Sequence, residues 1–341
     1  MNELYFIIDW LTFTIKQEGN FEIIQSICHK LNINYENMFS NKSNINGYDN
    51  YLTDGSFEIM WGSKNNITPM GICININGKT CRNLKQYNMT MNELFIKINE
   101  LRGNVTRLDV AIDDFKGYLN LDTVNLYRKN KWYTSRLRNN SYIEGSKSGS
   151  NLVGKTIYFG SPKSNLLLRF YDKRVESGDL SHDIWNRYEI QLRKGHAHSL
   201  FLLLLDKGFD IESTHFVKGI LSNYINFKDN ESKLKNISER PNAKWWDEFL
   251  MEVERIKLYS PPEKTRLEMK LIWVTNTCSF VLKQLSEVVG KKIVLQHLEN
   301  MIDFTNLKNE HRRLIEECTD FTRINLLNLI DSYKVDGGKY E

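Results

Sequence analysis

Cysteines are few in this chain of 341 residues, and Cys28, Cys73, Cys81, Cys278 and Cys318 include no CxxC pair. That spacing argues against a disulfide framework and a zinc ribbon, and it suits a reducing, cytoplasmic compartment. Long apolar runs are also missing. Asp9 interrupts the one apolar stretch near the N-terminus, and Leu200 to Leu205 falls far short of the roughly 20 residues that cross a bilayer. Neither a signal peptide nor a membrane span is expected. No GxxxxGK(S/T) occurs, so no internal ATPase is expected. Acids are scarce in one segment: Arg128 to Arg174 holds eleven Lys or Arg against Glu144 and Asp172 alone.

That segment carries a local balance of +9 within a chain of net charge +4, so the remainder is net acidic. Trp132, Tyr133, Tyr142 and Tyr158 are interleaved with its cations. Cations that follow phosphates and aromatics that stack on bases make this the composition of a nucleic-acid surface; a solvated basic loop is the alternative. The apolar fraction of 41% and charged fraction of 26% are ordinary for a globular protein, and the length predicts about two domains.

Leu4–Ile15 is rich in aromatic and β-branched residues and predicts a long strand containing Asp9. A helix over 21–31, strand-like runs over 51–61 and 70–76, a turn at Asn77-Gly78 and an amphipathic helix over 91–101 follow. After Gly103 the pattern begins again: a strand over 105–114, a helix from about 121, a hairpin over 155–174, a strand over 184–193 and a helix through 200–205. The order strand, helix, strands, helix thus occurs twice, a weak internal duplication with pseudo-repeats of about 1–103 and 104–240. The fold expected is α+β, a large, curved, mostly antiparallel sheet with helices on one face. Residues 241–341 are expected to form a C-terminal helical region for DNA recognition or assembly. Its first helix begins at Lys244 with Trp245, Phe249 and Val253 on one face, and helices over 267–282, 284–301 and 305–332 follow.

Alternation in the second half is informative. Leu167, Arg169, Tyr171 and Lys173 share one face of their strand; Arg107, Asp109, Ala111 and Asp113 share a face of another; Trp185, Arg187, Glu189, Gln191 and Arg193 share a face of a third. The opposite faces are mainly apolar, with Asp172 ending that of the Tyr171 strand. Tyr171 between two cations suits attack on a phosphate, with Arg169 and Lys173 neutralising the phosphodiester and lowering the cost of a phenolate. Asp109, Asp113 and Glu189 are hard oxygen donors suited to Mg²⁺ or Mn²⁺. The alternatives are an ordinary strand tyrosine and a salt-bridged sheet face in which Asp109 and Glu189 pair with Arg107 and Arg187. Arg107, Arg187, Lys163 and Arg174 are the candidate DNA contacts.

Several segments together resemble the replication-initiator family of Gram-positive rolling-circle plasmids, which also includes relaxases of some integrative conjugative elements. They are Asp9-Trp-Leu, Met70-Gly71 leading to Gly78 and Cys81-Arg82, Thr106 to Asp114, Tyr158 to Ser164, Leu168 to Lys173, Arg187 to Gln191, and Lys244 to Phe249. The resemblance implies that Tyr171 nicks one DNA strand and stays joined to its 5′ phosphate. It also implies a divalent metal on Asp109 and Glu189 with Asp113 a further candidate, a homodimer, and cooperation with a host helicase. A conjugative relaxase and a non-catalytic DNA-binding regulator are the other readings. His196-Ala197-His198 with Tyr224 offers a rival nickase centre of the two-histidine kind, but these histidines follow Lys194-Gly195 and open an apolar helical run, which predicts a helix start.

Overall fold

A computed structural model describes residues 4–40, 45–62, 70–146, 153–207, 213–250 and 274–316, with residues 267, 270, 271, 323, 326, 327 and 330. The chain divides into two compact units, Met1–Ser260 and Pro261–Glu341.

The first unit contains strands β1 (Leu4–Ile15), β2 (Asn50–Thr53), β3 (Phe57–Trp61), β4 (Ile72–Asn77), β5 (Asn104–Asp114), β6 (Tyr133–Ser135), β7 (Asn140–Ser146), β8 (Val153–Gly160), β9 (Leu166–Asp172), β10 (Asn186–Arg193) and β11 (Ile225–Phe227). Nine of them form one sheet in the order β2-β3-β4-β1-β5-β10-β9-β8-β7, and β6 pairs with β11 separately. Every neighbouring pair is antiparallel. The α+β expectation therefore holds. Outward from the central β1–β5 seam the order is β4, β3, β2 on one side and β10, β9, β8 on the other, so the two halves are laid out alike.

Helices α1 (Phe21–Lys30), α2 (Gly78–Arg82), α3 (Met91–Glu100), α4 (Leu121–Lys129), α5 (Lys173–Ser177), α6 (Lys194–Lys207), α7 (Ser213–Tyr224) and α8 (Lys244–Leu250) connect the strands. Their starts are set by local chemistry. Thr90 and Glu93 form a reciprocal capping box on α3, and Asn20 and Asn120 accept from the backbone N–H of Ile23 and Thr123 at 2.9 and 3.0 Å. One sheet face supplies the core: Leu11, Phe13, Leu108, Val110, Phe170 and Ile190 are fully buried in a single cluster with Ile24, Phe95, Phe201 and Ile220 from the helices.

Three local expectations change. Residues 51–61 are two strands, because Asp54 turns the chain by accepting from Ser56 and Phe57 N–H at 2.9 and 2.8 Å. Asn77-Gly78 does not make a hairpin turn; Asn77 Oδ1 accepts from Thr80 N–H at 3.0 Å and caps α2. In α8 the fully buried tryptophan is Trp246, beside Phe249, while Trp245 is only partly buried and Val253 lies outside the described residues. This packing places α8 in the first unit, beyond the boundary expected at 240. Trp132, Tyr133 and Tyr142 also pack against the core cluster, so of the four aromatics read as interleaved with the cations only Tyr158 stands beside Arg169 on the other face.

The second unit contains α9 (Ser279–Val289), α10 (Lys291–Phe304) and α11 (Asn309–Glu316), with a π-helical turn at Val274–Cys278 leading into α9. Gly290, at φ +93°, separates α9 from α10, which interrupts the helix expected over 284–301. Cys318 lies outside the described residues. Among the described residues no helix is long and apolar enough to cross a membrane.

Candidate active site

The face of the sheet opposite the core is built by register. Tyr171 on β9 lies across from Arg187 on β10, Arg187 across from Asp113 on β5, and Asp113 across from Tyr5 on β1. One pleat along, Arg169 lies across from Glu189 and Glu189 across from Ala111; beyond that, Gln191 faces Asp109 and Asp109 faces Trp10. The three polar stripes seen in the sequence are thus adjacent strands.

A β-bulge adds a further carboxylate. Ile8 pairs with Val110 and Trp10 with Asp109, leaving Asp9 as the extra residue of β1. The bulge re-aims its side chain, and Asp9 Oδ1 accepts from Arg187 Nη1 at 2.8 Å and from Arg82 of α2. Gly78 is required for this approach, because a Cβ there would sit 2.5 Å from the Asp9 carbonyl and carboxylate oxygens. Asp9 and Arg82 were not among the residues expected at the site. The signals for them were an acid inside an apolar strand for Asp9 and the place of both residues in segments that resemble the family.

Tyr171 Oη donates to Glu189 Oε2 at 3.0 Å, and Arg169 holds Glu189 Oε1. Arg187 forks onto Asp113, Nε to Oδ1 at 2.6 Å and Nη2 to Oδ2 at 2.8 Å. Arg107 forks onto Asp109, with Nη2 to Oδ2 at 2.6 Å, and its guanidinium lies 4.6 Å over the Trp10 ring. The charged face is therefore buried rather than open. Asp109 and Glu189 lie beneath Arg107 and Arg169, which keep 30% of their side-chain surface exposed.

Burial foremost, and then the Glu189 charge, push the Tyr171 phenol well above its usual value, against the opposing pull of Arg187 and Arg169. The net effect departs from the expectation that the flanking cations ease ionisation. Arg169 is committed to Glu189, Lys173 pairs with Glu176, and the Lys173 Nζ lies 5.9 Å from the Tyr171 ring centroid. Burial alone would raise the Asp9 carboxyl, but Arg187 and Arg82 hold it below the ordinary carboxylate range.

The structure separates the expected metal ligands. Asp113 is taken up by Arg187, and no group of three or more His, Cys, Asp or Glu suited to a metal converges among the described residues. Asp109 and Glu189 remain close enough that the Glu189 charge helps to raise the Asp109 carboxyl, to about 6, after burial as the main cause and against Arg107. Two buried hard-oxygen donors that repel one another are a donor set that a divalent cation fits. Glu189 pairs with Arg169, not with Arg187.

Arg187, one of the four candidate DNA contacts, is 1% exposed and spent on two carboxylates, which leaves it to hold the site rather than meet a phosphate. Arg107 stands at the rim, Lys163 is exposed in the β8–β9 turn, and Arg174 donates to the Asp183 carbonyl at 2.7 Å. The rival histidines lie in the first turn of α6, after β10 has ended at Arg193. His198 Nδ1 accepts from Val105 N–H at 3.3 Å, and burial holds both imidazoles below their usual value. They do not project from the sheet as a two-histidine metal centre requires.

The raised Asp109 carboxyl has a measurable consequence. Between the ordinary value of about 3.9 and about 6, the folded chain holds a proton that the unfolded chain has released. Stability is therefore greatest below that window and falls as pH rises through it. Asp109→Asn removes this slope and is expected to raise the unfolding free energy at pH 7 by about 1–3 kcal/mol, with little change at pH 4. Urea unfolding at the two pH values checks this, and an equal loss at both would assign Asp109 a purely structural pairing with Arg107.

Comparison with known proteins matches this architecture. Residues 103–301 match the family model described as replication initiation factor, and residues 5–99 match that of the rolling circle replication initiation protein N-terminal domain. A Bacillus subtilis (strain 168) protein provisionally named DNA relaxase NicK is 26% identical over 323 residues, covering 91% of this chain and 88% of its own length. The solved rolling circle replication initiator protein from Geobacillus stearothermophilus is 32% identical with a TM-score of 0.63, covering 75% of this chain and 99% of that one. The chain, whose polar sheet face is assembled from the segments these models span, belongs to the replication initiation factor family.

Proposed function

We propose that this protein nicks and rejoins one DNA strand at the origin of a plasmid or mobile element through a covalent 5′-phosphotyrosine, and so initiates rolling-circle replication. The observation that carries the assignment of Tyr171 is its hydroxyl donating to Glu189 at 3.0 Å on the one sheet face that gathers carboxylates and guanidiniums. A phenol this resistant to ionisation is a poor nucleophile unless its proton leaves as the bond to phosphorus forms. Glu189 is the acceptor already in place. Tyr171 Oη attacks phosphorus, the bond to the 3′ oxygen breaks, the phenolic proton passes to Glu189, and the departing 3′ oxygen takes a proton from solvent water to leave as the free hydroxyl. Arg169 and Arg107, exposed above the carboxylates, supply fixed positive charge to the phosphate.

Asp109 and Glu189 would hold a divalent cation, Mg²⁺ or Mn²⁺, which supplies Lewis-acid polarisation of the phosphate when bound. Strand opening falls to supercoiling or to a helicase, since the sequence has no ATP-binding loop. A homodimer and a cytoplasmic setting follow the family pattern. The relaxase reading shares this chemistry and is compatible with the 26% identity to the NicK protein over 91% of this chain. Incubation with supercoiled origin DNA and Mg²⁺ or Mn²⁺, followed by peptide mapping of the DNA-linked residue, is expected to return Tyr171 on a 5′ end. Attachment at any other residue, or origin binding without cleavage, overturns the assignment.

A further inference from the structure

The row beyond Tyr171 and Arg187 on the same face is aromatic. Trp185 immediately precedes β10, two residues from Arg187, and Phe115 immediately follows β5, two residues from Asp113. The Trp185 carbonyl accepts from Lys173 N–H at 2.8 Å, which extends the β9–β10 pairing by one bond. Phe115 and Trp185 stack with centroids 5.5 Å apart at 27°. His182 lies 4.6 Å from the Phe115 ring, and Tyr5, 54% exposed, meets Phe115 edge-on at 5.7 Å. The Arg187 guanidinium is 5.9 Å from the Trp185 ring.

The platform is held rigidly from behind. Asp114 Oδ1 accepts from Lys116 and Gly117 N–H at 2.9 and 2.8 Å, fixing the loop that carries Phe115. Arg174 ties down the loop carrying His182 through the Asp183 carbonyl. Trp185 lines a cavity of about 360 Å³ with Asn120 and Asn186, and with Lys155 and Arg174, which pair there with Asp122 and Asp172. The indole Nε1 of Trp185 is buried without a hydrogen-bond partner. Half-buried Phe115 and Trp185 beside the exposed rings of Tyr5 and His182, with side-chain amides nearby, have the make-up of a surface on which unpaired bases stack, since every base offers a π-face.

We infer that Tyr5, Phe115, His182 and Trp185 form a base-stacking subsite that grips unpaired nucleotides next to the scissile phosphate at Tyr171. It takes DNA as its ligand from the nicking reading, and it acts without regard to base sequence. The occupant is single-stranded because a paired base hides its π-face within the duplex. The subsite places the strand relative to Tyr171 and takes no part in the chemistry.

The test uses the full chain carrying Tyr171→Phe, so that no probe is cleaved, with fluorescence anisotropy on oligothymidylate and on an abasic strand of equal length. The parent protein is expected to prefer oligothymidylate by about fivefold or more. Trp185→Leu closes most of that gap without weakening the abasic strand, and Trp185→Phe keeps it. Tyr5→Ala, a change at an exposed side chain, narrows the gap in a variant that folds. An unchanged gap in both Trp185→Leu and Tyr5→Ala, or equal weakening on both strands, overturns the proposal. No cleavage enters the measurement, so failure of the nicking reading would show in the Tyr171 mapping and not here.

Discussion

Tyr171→Phe is expected to abolish covalent attachment to DNA, with nicking of supercoiled origin plasmid falling below about 10⁻³ of wild type, while origin affinity changes little. The ring is 6% exposed and packs in the sheet face, so phenylalanine keeps its volume and removes only the oxygen. The informative contrast is Glu189→Gln. Glutamine can still accept a hydrogen bond from Tyr171, but it does not take up the proton as the carboxylate does, and it leaves Arg169 without its charge partner. Loss of a positioned proton acceptor is worth about 10²–10⁴ in rate, and the loss is expected in cleavage rather than in binding. Gel assays of nicked circles beside filter binding of uncleaved origin separate the two. If Tyr171→Phe still nicks, the nucleophile lies elsewhere. If Glu189→Gln weakens binding as much as cleavage, the carboxylate is a structural partner of Arg169.

Much of this site was legible in the sequence because strand periodicity is exact at two residues. Apolar residues at alternate positions of β5, β9 and β10 put Arg107, Asp109, Asp113, Arg169, Tyr171, Arg187 and Glu189 on the other face without any knowledge of strand order. Pairing was not legible. Nothing in the residues themselves says that β10 lies between β5 and β9, and this placement gives Glu189 to Arg169 and Tyr171 while Arg187 goes to Asp113 and Asp9. A single extra residue in β1 escaped the pattern for the same reason, since a bulge breaks the alternation on which the reading depends. Asn77-Gly78 shows the limit of local signals, as the same dipeptide serves a hairpin turn or an N-cap, and only the approach of Gly78 to Asp9 decides. Arg169 does pull the phenol down, as its place two residues away suggests, but burial and Glu189 outweigh it, and neither is visible from sequence spacing.

Arg187 is where loss of a single side chain is expected to unmake the site as a whole. Its guanidinium satisfies Asp113 through two bonds and Asp9 through a third at 1% exposure, so it joins β10 to β5 and to the bulge of β1. Arg187→Met keeps much of the volume but strands the buried Asp113 carboxylate and leaves Asp9 to Arg82 alone. Breaking such a pair from one side costs about 3–5 kcal/mol, readable as a lower midpoint in urea with an unchanged slope. Arg187→Lys is expected to recover only part of this, because one ammonium does not reproduce a fork onto Asp113 together with a bond to Asp9. The double variant Arg187→Met, Asp113→Leu separates pairing from packing. Removing both partners leaves no stranded charge there, so it is expected to be more stable than Arg187→Met alone. A double variant that loses the sum of the two single losses would show that Arg187 contributes by packing, and the bidentate pair would then carry no special weight in holding Tyr171 within reach of Glu189.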